Sequence, residues 1–193
     1  MKELDLEKLL NINTIDIDDS KEDTHHNRYE PTPYKVLDLL IESEYINKND
    51  ILLDVGCGKG RVSLYLNHKI GCLCKGLDFN SDLIEEANIN KKNMNSNVEF
   101  ICENAIHYKI TNENKFYFFN PFSIEIFFSV LNNILTSYYE NPREIMIFLY
   151  YPDNDFMSYM MGLDEFICVD EIDCTELYEE YDERERILVF EIM

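Results

Sequence analysis

Short apolar runs rich in β-branched and aromatic residues recur along the chain at 51–55, 74–79, 97–102, 115–119 and 144–151. Between them the apolar positions change rhythm. In residues 33–45, Val36, Leu37, Leu40 and Ile41 share one helical face, and in 124–138 the same is true of Ile126, Phe127, Val130, Leu131 and Ile134. Residues 61–70 and a segment capped by Asn80-Ser81-Asp82 and running to about 92 read as two further helices. An apolar run with no alternation is the pattern of a strand covered on both faces. Five strands alternating with helices therefore predict an α/β fold on a parallel sheet. A short helix over 155–161 and two last strands at 166–169 and 186–190, a hairpin at the sheet edge, complete the pattern.

The first strand runs into Asp54 and then into glycines at 56, 58 and 60. Glycine permits a tight turn without a Cβ, so backbone N–H groups can approach a ligand. The following helix points its N-terminus at the same place. A dinucleotide turn has the spacing G-x-G-x-x-G. Here the third glycine comes one residue early, and an acid beside the loop repels a diphosphate but suits an ammonium. The combination fits a zwitterionic amino acid better than a pyrophosphate.

Asp54-Val55-Gly56-Cys57-Gly58-Lys59-Gly60 resembles motif I of the class I S-adenosylmethionine-dependent methyltransferases. The resemblance covers about residues 30–193. It implies a three-layer α/β/α sandwich on a seven-stranded, mostly parallel sheet with an antiparallel last strand, the Rossmann-like methyltransferase fold. It implies S-adenosyl-L-methionine as cofactor, held at Asp54, Gly56, Cys57, Gly58 and Gly60. Asp78, 18 positions after Gly60, then accepts from the ribose hydroxyls, with Phe79 beside it. Asn104 stands where the family usually has an acid for the adenine amine, and Ala105 would offer its N–H to a ring nitrogen. Tyr29-Glu30-Pro31-Thr32-Pro33 resembles, more loosely, the segment before motif I in Rossmann-type protein-lysine methyltransferases. That makes Tyr29 and Thr32 candidates for a lid, although two prolines also suit a plain helix start.

Asn120-Pro121-Phe122 occupies the position where amine-methylating families carry (D/N)-P-P-(F/Y/W), with one proline here instead of two. In those families the Asn and a backbone carbonyl orient the target amine while the aromatic ring packs on it. These three residues are the candidate catalytic set, with Asn120 also beside the cofactor. The single proline leaves adenine and glutamine acceptors without support. A protein side chain and a small molecule both remain open. Two other classes compete: a cofactor-binding scaffold without turnover, and an NAD-dependent oxidoreductase, which G-x-G-x-G and the lack of a substrate domain disfavour.

Composition narrows the partners. Thirty-eight acids face 17 Lys and Arg, a formal net charge of −21, so a phosphate backbone is repelled and nucleic acid is disfavoured. Among residues 164–191 twelve acids meet only Arg184 and Arg186, the pattern of a solvated edge. The six cysteines lack C-x-x-C spacing and read as small hydrophobes of a reducing, cytoplasmic compartment, with no metal site. No stretch has the length of a membrane span or the form of a signal peptide. We expect a partly flexible acidic segment over 1–28, with a Leu-rich turn at Leu4–Leu10, a solvated linker at 16–23 and no metal role for His25-His26. The catalytic domain is expected over 29–193.

Overall fold

The computed structural model describes residues 3–15 and 29–193. Its sheet has seven strands: β1 (Ile51–Val55), β2 (Leu73–Asp78), β3 (Glu99–Cys102), β4 (Lys115–Phe118), β5 (Met146–Tyr150), β6 (Phe166–Asp173) and β7 (Arg186–Ile192). They lie in the order β3-β2-β1-β4-β5-β7-β6. β1 to β5 pair in parallel, and β7 runs antiparallel to both of its neighbours. Six helices accompany them: α1 (Glu3–Leu10), α2 (Tyr34–Glu42), α3 (Arg61–Ile70), α4 (Ser81–Met94), α5 (Ile124–Glu140) and α6 (Asn154–Met161).

The period-2 alternation of the strands divides the core between two layers. Leu52, Tyr117, Phe148 and Val189 pack with residues of α1, α2 and α3 on one face. Leu53, Phe116, Phe118, Ile147 and Leu149 pack with α5 and α6 on the other. Because both faces are covered, β4 and β5 are buried at every position, which is why their sequences show no polar alternation. Strand order reverses at β1, between β2 and β4. In open α/β sheets a crevice forms there, outside the carboxyl ends of the strands.

Boundaries move where local chemistry overrides the apolar pattern. The helix expected to reach residue 45 stops at Glu42, with Glu44 in the left-handed region at φ +60°. The strand expected to end at 169 continues to Asp173, because a bulge between Cys168 and Asp170 shifts the register and hides the later alternation. The third strand starts at Glu99 and not at 97, since the Val98 N–H donates to the Ser96 hydroxyl at 3.2 Å and not to the ladder.

The leucines expected in a turn ahead of the domain form helix α1. Leu6, Leu10 and Ile12 are buried in the same cluster as Leu37 and Leu64, so residues 3–15 belong to the packed body. The linker at 16–23 and His25-His26 lie outside the described residues. All six cysteines are free. Cys57, Cys72, Cys74 and Cys174 are buried as expected, whereas Cys102 is exposed at the end of β3.

Phe127 is fully buried, 5.3 Å from the Phe118 ring and 4.3 Å from that of Phe156. Phe127→Ala should cost about 3–5 kcal/mol of stability, read as a lower midpoint of urea unfolding with an unchanged slope.

Candidate functional site

A cleft opens at the carboxyl ends of β1, β2 and β4. β1 brings Asp54 to its floor, only 2% exposed. The Asp54 carboxylate accepts from the Ser63 hydroxyl at 3.1 Å, in the first turn of α3. Burial pushes its carboxyl up to about 7, against the pull of the Ser63 hydrogen bonds. A carboxyl held so near neutrality is poised to ionise against a cation placed in the cleft.

The glycine turn closes differently from the expectation of amides open to a ligand. The N–H groups of Gly56 and Cys57 both donate to the Leu77 carbonyl, at 2.8 and 3.0 Å, and that of Gly60 donates to the Cys57 carbonyl at 2.9 Å. The Gly58 N–H donates to Asp78 Oδ2 at 3.0 Å. Four of the turn's amides are therefore occupied within the protein. The glycines serve close packing instead. At φ +82°, Gly56 lies under Pro121, whose Cβ would stand 2.2 Å from an added Cβ. Gly58, at φ +52°, lies under the Tyr29 ring in the same way. Gly56 and Cys57 line the cleft, and Gly58 and Gly60 do not. Burial raises the Cys57 thiol well above its ordinary range, so it stays protonated.

Asp78, at the end of β2, is 9% exposed and lines the cleft. Its Oδ1 accepts the Asn80 N–H at 2.8 Å while Oδ2 takes that of Gly58, so two backbone amides fix the carboxylate in place. Phe79 stands next to it, 40% exposed. Asn104 and Ala105 follow β3 on the same wall. The Asn104 side-chain oxygen already accepts the Ile106 N–H at 3.0 Å. Glu103, one residue earlier, also lines the cleft, an acid at a strand end that the resemblance passes over.

Across the cleft, Asn120 follows β4 in the left-handed region at φ +38°, and its Nδ2 donates to the Tyr151 carbonyl at 2.5 Å. Tyr151 follows β5 and is itself left-handed at φ +50°. Pro121 seats on Gly56, and Phe122 is 5% exposed with its ring edge-on to Phe118 at 6.3 Å. Asn120, Pro121 and Phe122 thus share the cleft with Asp54 and Asp78.

The N-terminal wall is Tyr29 to Thr32. The Tyr29 hydroxyl donates to the Thr14 carbonyl at 2.7 Å, and its ring faces the Lys59 ammonium at 5.6 Å. Thr32 is 2% exposed, with its hydroxyl 3.1 Å from that of Tyr117. Two cleft residues went unremarked in the sequence. Tyr117 reads as one more aromatic in an apolar strand. Arg61 reads as the first residue of a helix, yet it is 2% exposed and is the one Lys or Arg on the cleft wall among the described residues.

A family model described as a methyltransferase domain matches residues 46–141. No curated protein matches the chain at a significant level. Solved structures share the architecture. An RNA methyltransferase from Salinibacter ruber, in complex with S-adenosyl-L-homocysteine, is similar with a TM-score of 0.59 at 20% identity, over 84% of this chain and 94% of its own. The Pyrococcus abyssi tRNA (uracil-54, C5)-methyltransferase, also in complex with S-adenosyl-L-homocysteine, gives 0.62 at 18% identity, over 86% and 40% of the two chains. A dimethyladenosine transferase from Plasmodium falciparum gives 0.60 at 15%, over 85% and 63%. At these identities the likeness carries the fold.

The raised carboxyl of Asp54 has a stability signature. Its folded value of about 7 lies above the ordinary 3.8, so between them the unfolded chain binds fewer protons. Stability should fall as pH rises from about 4 to about 7, by roughly 4 kcal/mol at most. Asp54→Asn should remove that component, so that in urea melts across this range the variant's stability varies less with pH than the wild type's.

Proposed function

Because the chain belongs to the class I S-adenosylmethionine-dependent methyltransferase family, we propose that this cleft holds S-adenosyl-L-methionine and transfers its methyl group to an amine nitrogen. The observation that carries the cofactor reading is the Asp78 carboxylate, fixed at the cleft wall by two backbone amides. It suits a pair of ribose hydroxyls. Asp54 suits the ammonium of an amino acid, and Thr32, Gly56 and Cys57 close that end. Phe79, Asn104 and Ala105 form the adenine side, with Asn104 limited to a second hydrogen bond on an oxygen already in use. The turn amides at 56, 57, 58 and 60 donate internally, which disfavours a diphosphate cofactor such as NAD.

When bound, the sulfonium supplies a methyl group already activated for in-line displacement. The protein's part is then positioning and exclusion of water. In this reading Asn120 orients the acceptor: its amide is held by the Tyr151 carbonyl, and it lines the same cleft as Asp78. Pro121 holds the turn against Gly56, and Phe122 offers an apolar wall. Four acids and a single cation line the cleft among the described residues. That balance, with the net charge of −21, favours a neutral or cationic acceptor, a protein side chain or small molecule, over nucleic acid. Six free cysteines suit a reducing cytoplasm. Among the described residues no helix is long and apolar enough to cross a membrane.

Titration calorimetry should show binding of S-adenosylmethionine and S-adenosylhomocysteine, and none of NAD. Asp78→Ala should weaken that binding by about 10- to 150-fold, the loss of a charge-assisted hydrogen bond. An absence of heat and of thermal stabilisation at millimolar ligand would remove the proposal.

Asn120→Ala should lower kcat by about 10²- to 10³-fold, as for loss of one preorganised polar contact, with a far smaller change in cofactor affinity. Mass spectrometry of the methylated product should place the new group on nitrogen. A product methylated on oxygen or carbon, or a variant with unchanged kcat, would exclude the role given to Asn120.

A further inference from the structure

We propose that Arg61 binds the carboxylate of the cofactor's amino-acid end, a role that rests on the cofactor reading above. A zwitterion entering a poorly solvated cleft needs a partner for each of its charges. Acids are present in excess: Glu30, Asp54, Asp78 and Glu103 all line the cleft. For the anion there is one cation on the wall, Arg61. Lys59 is near in sequence, but its ammonium pairs with Glu86 at 2.9 Å and it does not line the cleft. The glycine-turn amides, the other usual donors to an anion at this junction, are occupied at 56, 57, 58 and 60.

The guanidinium is held in a way that leaves one end under-used. Nε donates to the Thr14 hydroxyl at 2.6 Å, and Nη1 to Glu3 Oε2 at 2.5 Å and to the Thr32 carbonyl at 3.1 Å. The plane lies over the Tyr34 ring, 4.4 Å from its centre. Nη2 is buried with no hydrogen-bond partner among the described residues, its one charged neighbour being Glu7 at 3.4 Å. A buried donor without an acceptor is costly, and a planar fork fits a carboxylate better than any other side chain does. Arg61 also opens α3 at the end of the helix where its dipole favours an anion.

The same contacts support a rival account in which Arg61 only anchors α1 and Thr14. Two ligands that differ in the carboxylate alone separate the two accounts: S-adenosylmethionine and decarboxylated S-adenosylmethionine, which keeps the ammonium. By calorimetry the wild-type protein should prefer the carboxylated ligand by about tenfold or more. Arg61→Gln should weaken it by about 10- to 150-fold while leaving the decarboxylated ligand unchanged, so that the preference disappears. If Arg61→Gln does not fold, Arg61→Lys keeps the cation against Glu7 but loses the fork, and should narrow the preference. Equal weakening of both ligands, or no preference in the wild type, would overturn the assignment and leave Arg61 an anchor. Failure of the wild type to bind either ligand would instead refute the cofactor reading itself.

Discussion

The Leu77 carbonyl takes two donors at once, the N–H groups of Gly56 and Cys57, and the rest of the site depends on that junction. It fastens the turn after β1 to the end of β2. The parallel register that sets Val55 beside Leu77 brings them to the same level. With the turn pinned there, the Gly58 amide reaches Asp78 and α3 starts at Arg61. Pro121 then needs a flat surface to close on, and Gly56 supplies one. Neither residue type nor motif spacing alone would produce this. It takes a strand order that places β1 between β2 and β4.

Much of the fold was legible in the sequence because it rests on burial. Strands covered on both faces show as unbroken apolar runs, as at Met146–Tyr150, and helix α5 shows its buried stripe at helical spacing. What escaped were features set by hydrogen bonding. The bulge at Cys168/Asp170 displaces the alternation of β6 by one position, which reads as the end of a strand. Helix α1 does not show in the pattern because, of its four leucines, only Leu6 and Leu10 are covered while Leu4 and Leu9 face outward, and the third covered residue, Glu7, is an acid.

The site divides along the same line. Asp54, Asp78 and the Asn120-Pro121-Phe122 turn could be placed in one cleft from strand ends alone. The direction of the turn's amides could not, since a glycine pattern says where the backbone can bend and nothing of where its N–H groups point. Arg61 was invisible for a related reason. A charge at the start of a helix usually faces water, and its burial follows from Glu3, Glu7 and Thr14, which lie more than forty residues earlier in the chain.

The inward-turned amides also bear on how readily this scaffold could change its chemistry. In a turn whose N–H groups face outward, exchanging one side chain at the end of β2 can retune what the pocket accepts. Here Asp78 is itself a strut of the turn, through its bond to Gly58. Replacing it alters recognition and loosens the loop together. A new cofactor preference would have to arise through coordinated changes at the β1–α3 junction and β2, so the route from this site to another is a narrow one for evolution and for the protein engineer alike.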